Sequence, residues 1–250
     1  MNATLPVSMP GSIRLFVAPT LAEGAEIAAA PAQAHYLAHV MRCAAGDTIV
    51  LFNGRDGEWQ ARIGSLRGDR SSFVVAERLR VQAPEADIWL AFAPLKRDAT
   101  DLVVQKATEL GAAALLPVTT ARTNTGRVNL DRLAAIATEA AEQSERLTVP
   151  QVRPLVDLPT LLRDWPADRR LVVAMERIAA PRAAFAAGPA GLLVGPEGGF
   201  TERELDVLRA HPFVGPASLG SLILRAETAA IVGLALLQAP GPLTDDGQTA

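Results

Sequence analysis

A chain of 250 residues, 49% hydrophobic and 20% charged, is long enough to bury a core without staples and is globular in composition rather than disordered. Its single cysteine, Cys43, excludes an internal disulfide framework and a cysteine-based zinc site, and a net charge of −3 excludes coating of nucleic acid by bulk charge. No metal is expected. The longest apolar helical run, Ala229 to Ala239, is too short to span a bilayer, and residues 1–12 read as a loose leader without a signal peptide's basic and apolar regions, so a cytoplasmic protein is expected.

From Ile13 the pattern is one of short strands. Ile13 to Val17 reads as the first, and Ala32 to Met41 as a helix with Leu37, Val40 and Met41 inward. Asp47 to Phe52, Glu58 to Ile63 and Phe73 to Leu79 follow as strands. Asn53-Gly54, Asp56-Gly57 and Gly68-Asp69 are turn dipeptides between them. This is a β-rich domain over residues 1–83, ending in the linker 82–86.

The pattern then alternates. Ile88 to Ala93 is an apolar strand, and a helix runs from Ala99 to Leu110, with Asp98 as N-cap and Gly111 just past its end. Ala113 to Val118 is a strand, and Leu130 to Glu145 a helix behind Asn129. Leu171 to Met175 and Leu192 to Val194 are strands, Thr201 to Ala210 a helix, Ala217 to Leu219 a strand and Glu227 to Gln238 the final helix. Such alternation implies an α/β domain with a parallel sheet over residues 84–240, before a flexible tail at 241–250.

Two stretches carry chemistry. At 192–204, LLVGPEGGFTERE, an apolar strand runs into a glycine-rich turn and a strongly specified helix start. Thr201 and Glu204 make a capping box, and Phe200 and Leu205 a hydrophobic staple. Gly195, Gly198 and Gly199 permit close approach by a ligand at a strand's C-terminal end. The turn is neither a dinucleotide fingerprint nor a P-loop. At 219–230, LGSLILRAETAA, the apolar Leu222, Ile223 and Leu224 suit the wall of an adenine-sized pocket. Arg225 sits at a helix start, where the helix dipole disfavours a cation.

Together with LAFAPLKRDATDLVVQKATELGAAALLPVTTART at 90–123, AAIATEAAEQSERLTVPQV at 134–152, RLFV at 14–17 and HYLAHVMRCAAGDTIVLFNGRDGEWQARI at 35–63, these stretches resemble the RsmE family over nearly the whole chain. That family comprises the bacterial 16S rRNA uracil-N3 methyltransferases of the SPOUT superfamily. Two positions depart from its usual pattern: Glu145 stands where glycine is frequent, and Ser221 where proline or another residue is common.

The resemblance implies a SPOUT domain with a deep trefoil knot, a small N-terminal PUA-like β-barrel that grips RNA, a homodimer, and S-adenosylmethionine as cofactor. The expected substrate is a uridine in the decoding region of 16S rRNA, presented on the small subunit. A SPOUT enzyme acting on another RNA, such as tRNA, is the alternative. The expected cofactor contacts are Met175, Leu193, Val194, Gly195, Pro196, Glu197, Gly198, Gly199, Leu219, Gly220, Leu222, Ile223, Leu224, Thr228 and Ala229. Arg225 is the expected catalytic guanidinium, with Glu197 or Glu227 accepting the proton or holding Arg225, the holding role being favoured. Arg14, Asn53 and Arg55 are the expected RNA contacts.

Overall fold

A computed structural model describes residues 12–67, 70–175 and 188–238. The 241–250 tail, the Gly68-Asp69 turn and most of the leader lie outside them. Two compact units emerge: the residues up to Pro84 together with Ala141–Val149, and Glu85–Ala140 together with the residues from Pro150 onward. The stretch 141–149, expected within the second domain, thus groups with the first.

In the first unit, strands β1 (Arg14–Phe16), β2 (Glu26–Ala28), β3 (Thr48–Phe52), β4 (Glu58–Ser65) and β5 (Ser72–Arg80) form a sheet ordered β1-β3-β4-β5-β2. β1 and β3 are parallel and the other pairs antiparallel. Among the described residues the hydrogen-bonded path has β1 and β2 at its ends. Alternation sends Ile49, Leu51, Ala61, Ile63, Phe73 and Val75 into one core with Leu15 and Leu37. The expected helix begins as α1 (Pro31–His35) but widens into a single π-type stretch over Tyr36–Val40. This changes which residues face inward. Leu37 is buried, whereas Val40 and Met41, both expected inside, are 60% and 42% exposed.

The second unit carries β6 (Ile88–Phe92), α2 (Arg97–Glu109), β7 (Ala114–Thr119), α3 (Leu130–Gln143, whose last three residues group with the first unit), β8 (Gln151–Val152), β9 (Val156–Asp157) and α4 (Leu158–Arg163). β10 (Arg170–Ala174), β11 (Ala190–Val194), α5 (Glu202–Arg209), β12 (Val214–Ala217) and α6 (Ala226–Gln238) follow. The sheet order is β12-β10-β11-β6-β7-β8, with β9 also on β7, and every pairing is parallel. Leu116, Val118, Leu161, Trp165, Val173, Leu193 and Leu208 fill one core. On α6, Gly233 lies so close to β11 that a Cβ there would sit 2.6 Å from the Leu192 side chain.

Two helix starts are informative. Lys96, not Asp98, precedes the first turn of α2, and it makes no side-chain cap bond. The buried Thr100 hydroxyl instead takes both sides of Leu95, accepting from its N–H at 2.9 Å and donating to its carbonyl at 3.1 Å. Asp98 falls inside the helix, in its first turn. At α3 the Asn129 side chain accepts from the Arg132 N–H, as a cap should.

Candidate functional site

All strands of the parallel sheet end on the same edge, and the chain order reverses between β11 and β6. Open α/β sheets place ligands at such an edge. Beyond the ends of β10, β11 and β12 lies a cavity of about 840 Å³, within the range of small-molecule sites. Its walls are Ala174 and Met175 at the end of β10, Val194, Gly195, Pro196, Glu197, Gly199 and Phe200 at the end of β11, the 218–225 loop after β12, and Leu205, Ala226 and Ala229 from the helices.

Each wall has a local cause. The Thr201 side chain accepts from the Glu204 N–H, and Glu204 in return accepts from the Thr201 N–H at 2.8 Å, so α5 starts at a fixed place. Phe200 and Leu205, the staple pair, both face the cavity. Gly195 is needed because a Cβ there would lie 2.9 Å from the Phe200 ring. Gly199 has φ +68°, the left-handed conformation that side chains disfavour. Glu204 also accepts from the Ala121 N–H at 2.7 Å, and Arg122 donates to the Gly198 carbonyl at 2.7 Å. The loop after β7 is thereby laced to the glycine turn. Burial by itself would raise the Glu204 carboxyl, but hydrogen bonds from Thr201 and Ala121, with the nearby Arg122 charge, bring it below the ordinary range.

Thr201→Ala removes the cap at a cost of about 1 kcal/mol. We expect the glycine turn to loosen with it and cofactor affinity to fall several-fold by calorimetry. Unchanged affinity would separate the cap from the cavity.

Of the residues named from sequence, the cavity takes in Met175, Val194, Gly195, Pro196, Glu197, Gly199, Leu219, Gly220, Leu222, Ile223, Leu224, Arg225 and Ala229. Leu193 is fully buried within the core, because β11 is covered on both faces. Gly198, Thr228 and Glu227 are not among the lining residues. Gly198 instead packs against the Arg122 side chain. Arg225 is exposed and, among the described residues, forms no ion pair or side-chain hydrogen bond, so neither Glu197 nor Glu227 holds it.

The three residues named for RNA fare differently. Arg14 is 7% exposed and fully engaged: Nε meets Glu58 at 2.7 Å, and the Nη atoms donate to the carbonyls of Ala141, Glu142 and Arg146. Asn53 is also buried. Its Oδ1 accepts from the N–H groups of Arg55 and Asp56, and its amide donates to the Pro19 carbonyl and to Asp56. Both hold the fold rather than face a ligand. Arg55 stays exposed, with one donor on the Ala18 carbonyl.

Comparison with known proteins shows what this architecture is similar to. A family model described as RNA methyltransferase domain matches residues 82–238, and one described as RNA methyltransferase PUA domain matches residues 30–76. Ribosomal RNA small subunit methyltransferase E of Rickettsia conorii is 34% identical over 235 residues, covering 91% of this chain and 96% of that protein. This chain belongs to the ribosomal RNA small subunit methyltransferase E family. The Bacillus subtilis member is 32% identical over 222 residues, 82% of this chain and 86% of its own. Methyltransferase E of Neisseria gonorrhoeae, solved bound to S-adenosyl methionine, aligns with TM-score 0.82 and 27% identity over 90% of this chain and 95% of that one. The first unit is accordingly PUA-like and the second an α/β methyltransferase domain with a parallel sheet.

Within this family frame, several cavity residues were missed from sequence: Ala174, Phe200, Leu205, Ser218, Ser221 and Ala226. For Phe200 and Leu205 a signal existed, since the staple that starts α5 necessarily lies beside the turn. The small residues carried none.

Proposed function

We propose that this chain transfers a methyl group from S-adenosylmethionine to N3 of a uridine in 16S rRNA of the small ribosomal subunit. The observation that carries the reading is the exposed guanidinium of Arg225, without an ion pair among the described residues, on a cavity walled by two glycine-containing loops, in a chain of the methyltransferase E family. The residues fit the cofactor. Leu219, Leu222, Ile223 and Leu224 offer apolar surface to an adenine, and the backbone of the 194–199 turn offers polar groups with little side-chain bulk around Gly195 and Gly199. When bound, S-adenosylmethionine supplies a methyl group made electrophilic by its sulfonium.

The protein's part is alignment and charge. As uracil N3 loses its proton, negative charge spreads onto the two flanking carbonyl oxygens. Arg225 stabilises that charge through a fork of N–H donors that no carboxylate of the described residues occupies. Glu197, exposed on the cavity wall, is the carboxylate placed to take the proton or pass it to water. Glu227, away from the lining, acts through the first turn of α6.

The fuller reading includes a trefoil-knotted SPOUT topology, a homodimer and a cytoplasmic enzyme. Its support is the family likeness, and among the described residues no helix is long and apolar enough to cross a membrane.

The test is transfer of label from S-adenosylmethionine to small subunits lacking the modification, with tRNA and protein-free rRNA alongside, followed by nucleoside analysis. Label in 3-methyluridine from the subunits is expected. Label confined to tRNA, or none, overturns the assignment.

A further inference from the structure

Beside the glycine turn that walls the cavity stand two loops that the methyl-transfer reading does not use. β11, β6 and β7 are neighbours in that order, so the loops that follow them emerge side by side on the catalytic edge of the sheet. Hydrogen bonds join these loops. The Thr125 hydroxyl donates to the Leu95 carbonyl at 3.3 Å, tying the loop after β7 to the one after β6. Arg122 and the Ala121 N–H tie the same loop to the glycine turn and to Glu204. The loops after β11, β6 and β7 are thus linked across the ends of three neighbouring strands.

The charge on the two loops is predominantly positive. Residues 119–129 contain Arg122 and Arg127 and no carboxylate, and between residues 88 and 100 Lys96 and Arg97 face only Asp98. Lys96, Arg97 and Arg127 are exposed. Among the described residues Lys96 and Arg127 have no ion pair, and the carboxylate near Arg97, Asp101, is already bonded to Arg132. In a chain of net charge −3, these exposed cations, without an ion pair among the described residues, stand out beside the cavity. A free phosphate or nucleotide would require donors converging on one point. These are spread over two loops and open to solvent, which suits successive phosphates of a polyanion.

Resting on the reading that the substrate is RNA, we infer that Lys96, Arg97 and Arg127 form a shelf for the RNA backbone. The catalytic unit therefore grips RNA itself, beside the target base, in addition to any contact from the PUA-like unit. Contacts of this kind position the strand and carry no sequence information.

The experiment measures binding of the full chain to small ribosomal subunits lacking the modification, between about 50 and 200 mM KCl. Each phosphate contact contributes roughly 0.7–0.9 to the log–log salt slope, so combining Lys96→Ala, Arg97→Ala and Arg127→Ala should lower the slope by about two and weaken binding at least tenfold at low salt. Arg127→Glu alone should weaken binding in the same direction. Cofactor affinity should stay within about twofold, since none of the three lines the cavity. Arg163→Ala with Arg209→Ala, exposed arginines at the C-terminal ends of α4 and α5, should leave the slope unchanged. An unaltered slope in the triple variant, or an equal loss in the control pair, overturns the shelf. A wild-type chain that methylates subunits while the triple variant binds normally removes only the shelf. A wild-type chain that neither binds nor methylates them removes the underlying reading too.

Discussion

Arg225→Ala should reduce methyl transfer by about 10²–10³-fold or more, the range seen when a single preorganised donor is lost from a developing anion. Cofactor affinity should change little, because the loop backbone and the apolar side chains of residues 219–224 remain in place. The two quantities are read separately, turnover with labelled cofactor under single-turnover conditions and binding by calorimetry. Arg225→Lys should recover only part of the rate, since an ammonium keeps the charge but not the planar fork. Raising the pH should speed the Ala variant more than the wild type, because the uracil anion then forms without help. Arg225 has no carboxylate partner among the described residues, so its removal leaves no buried charge behind and should not lower the melting temperature. Normal turnover in the Ala variant would remove Arg225 from the mechanism.

How much of this was legible follows from how local each signal is. The parallel sheet showed itself because its strands are continuous apolar runs and some of its helices carry their caps in sequence. Thr201 with Glu204 is the clearest case, read as a capping box and found as one. The short elements left no periodicity to read: β2 has three residues, β8 and β9 two each, and α4 follows at once behind Asp157. The cavity was legible through its glycines and through Arg225, an arginine where the helix dipole gives it no reason to be. Glu197 and Glu227 were read as its partners because they are carboxylates of the two motif stretches, which says nothing about where side chains meet. Arg14 is the plainest misreading. An arginine in a short strand looks like surface, and the groups that bury it come from Glu58 and from residues 141–146, far along the chain. The Glu145 departure has a local counterpart: its φ is +57°, a conformation glycine adopts freely and other residues seldom do.

Glu58→Ala should cost about 3–5 kcal/mol, the penalty for leaving a buried charge without its partner. Glu58 is fully buried at the start of β4, and one carboxylate serves two guanidinium groups. Arg14 Nε reaches it at 2.7 Å, and Arg80, its register partner on β5, meets it at 2.6 and 2.8 Å. Burial already pulls the Arg14 guanidinium down from its ordinary value, and Glu58 is the main force opposing that. Arg14 also stacks on the Phe52 ring at 4.5 Å, so it cannot swing to solvent without uncovering the sheet. With Glu58 gone, its charge remains where water cannot reach it. A domain of ordinary stability has about 5–15 kcal/mol in hand, so the loss should appear as a large fall in the melting temperature followed by circular dichroism. Arg14→Met alone should also be costly, since it strips the carbonyls of Ala141, Glu142 and Arg146 of a donor. The double variant should then be less unstable than the sum of the singles, because the unpaired charge is removed along with its partner. Additive losses, or a Glu58→Ala penalty under about 1 kcal/mol, would mean that the cluster is solvated and that Arg14 is free to serve as the RNA contact its place in the sequence first implied.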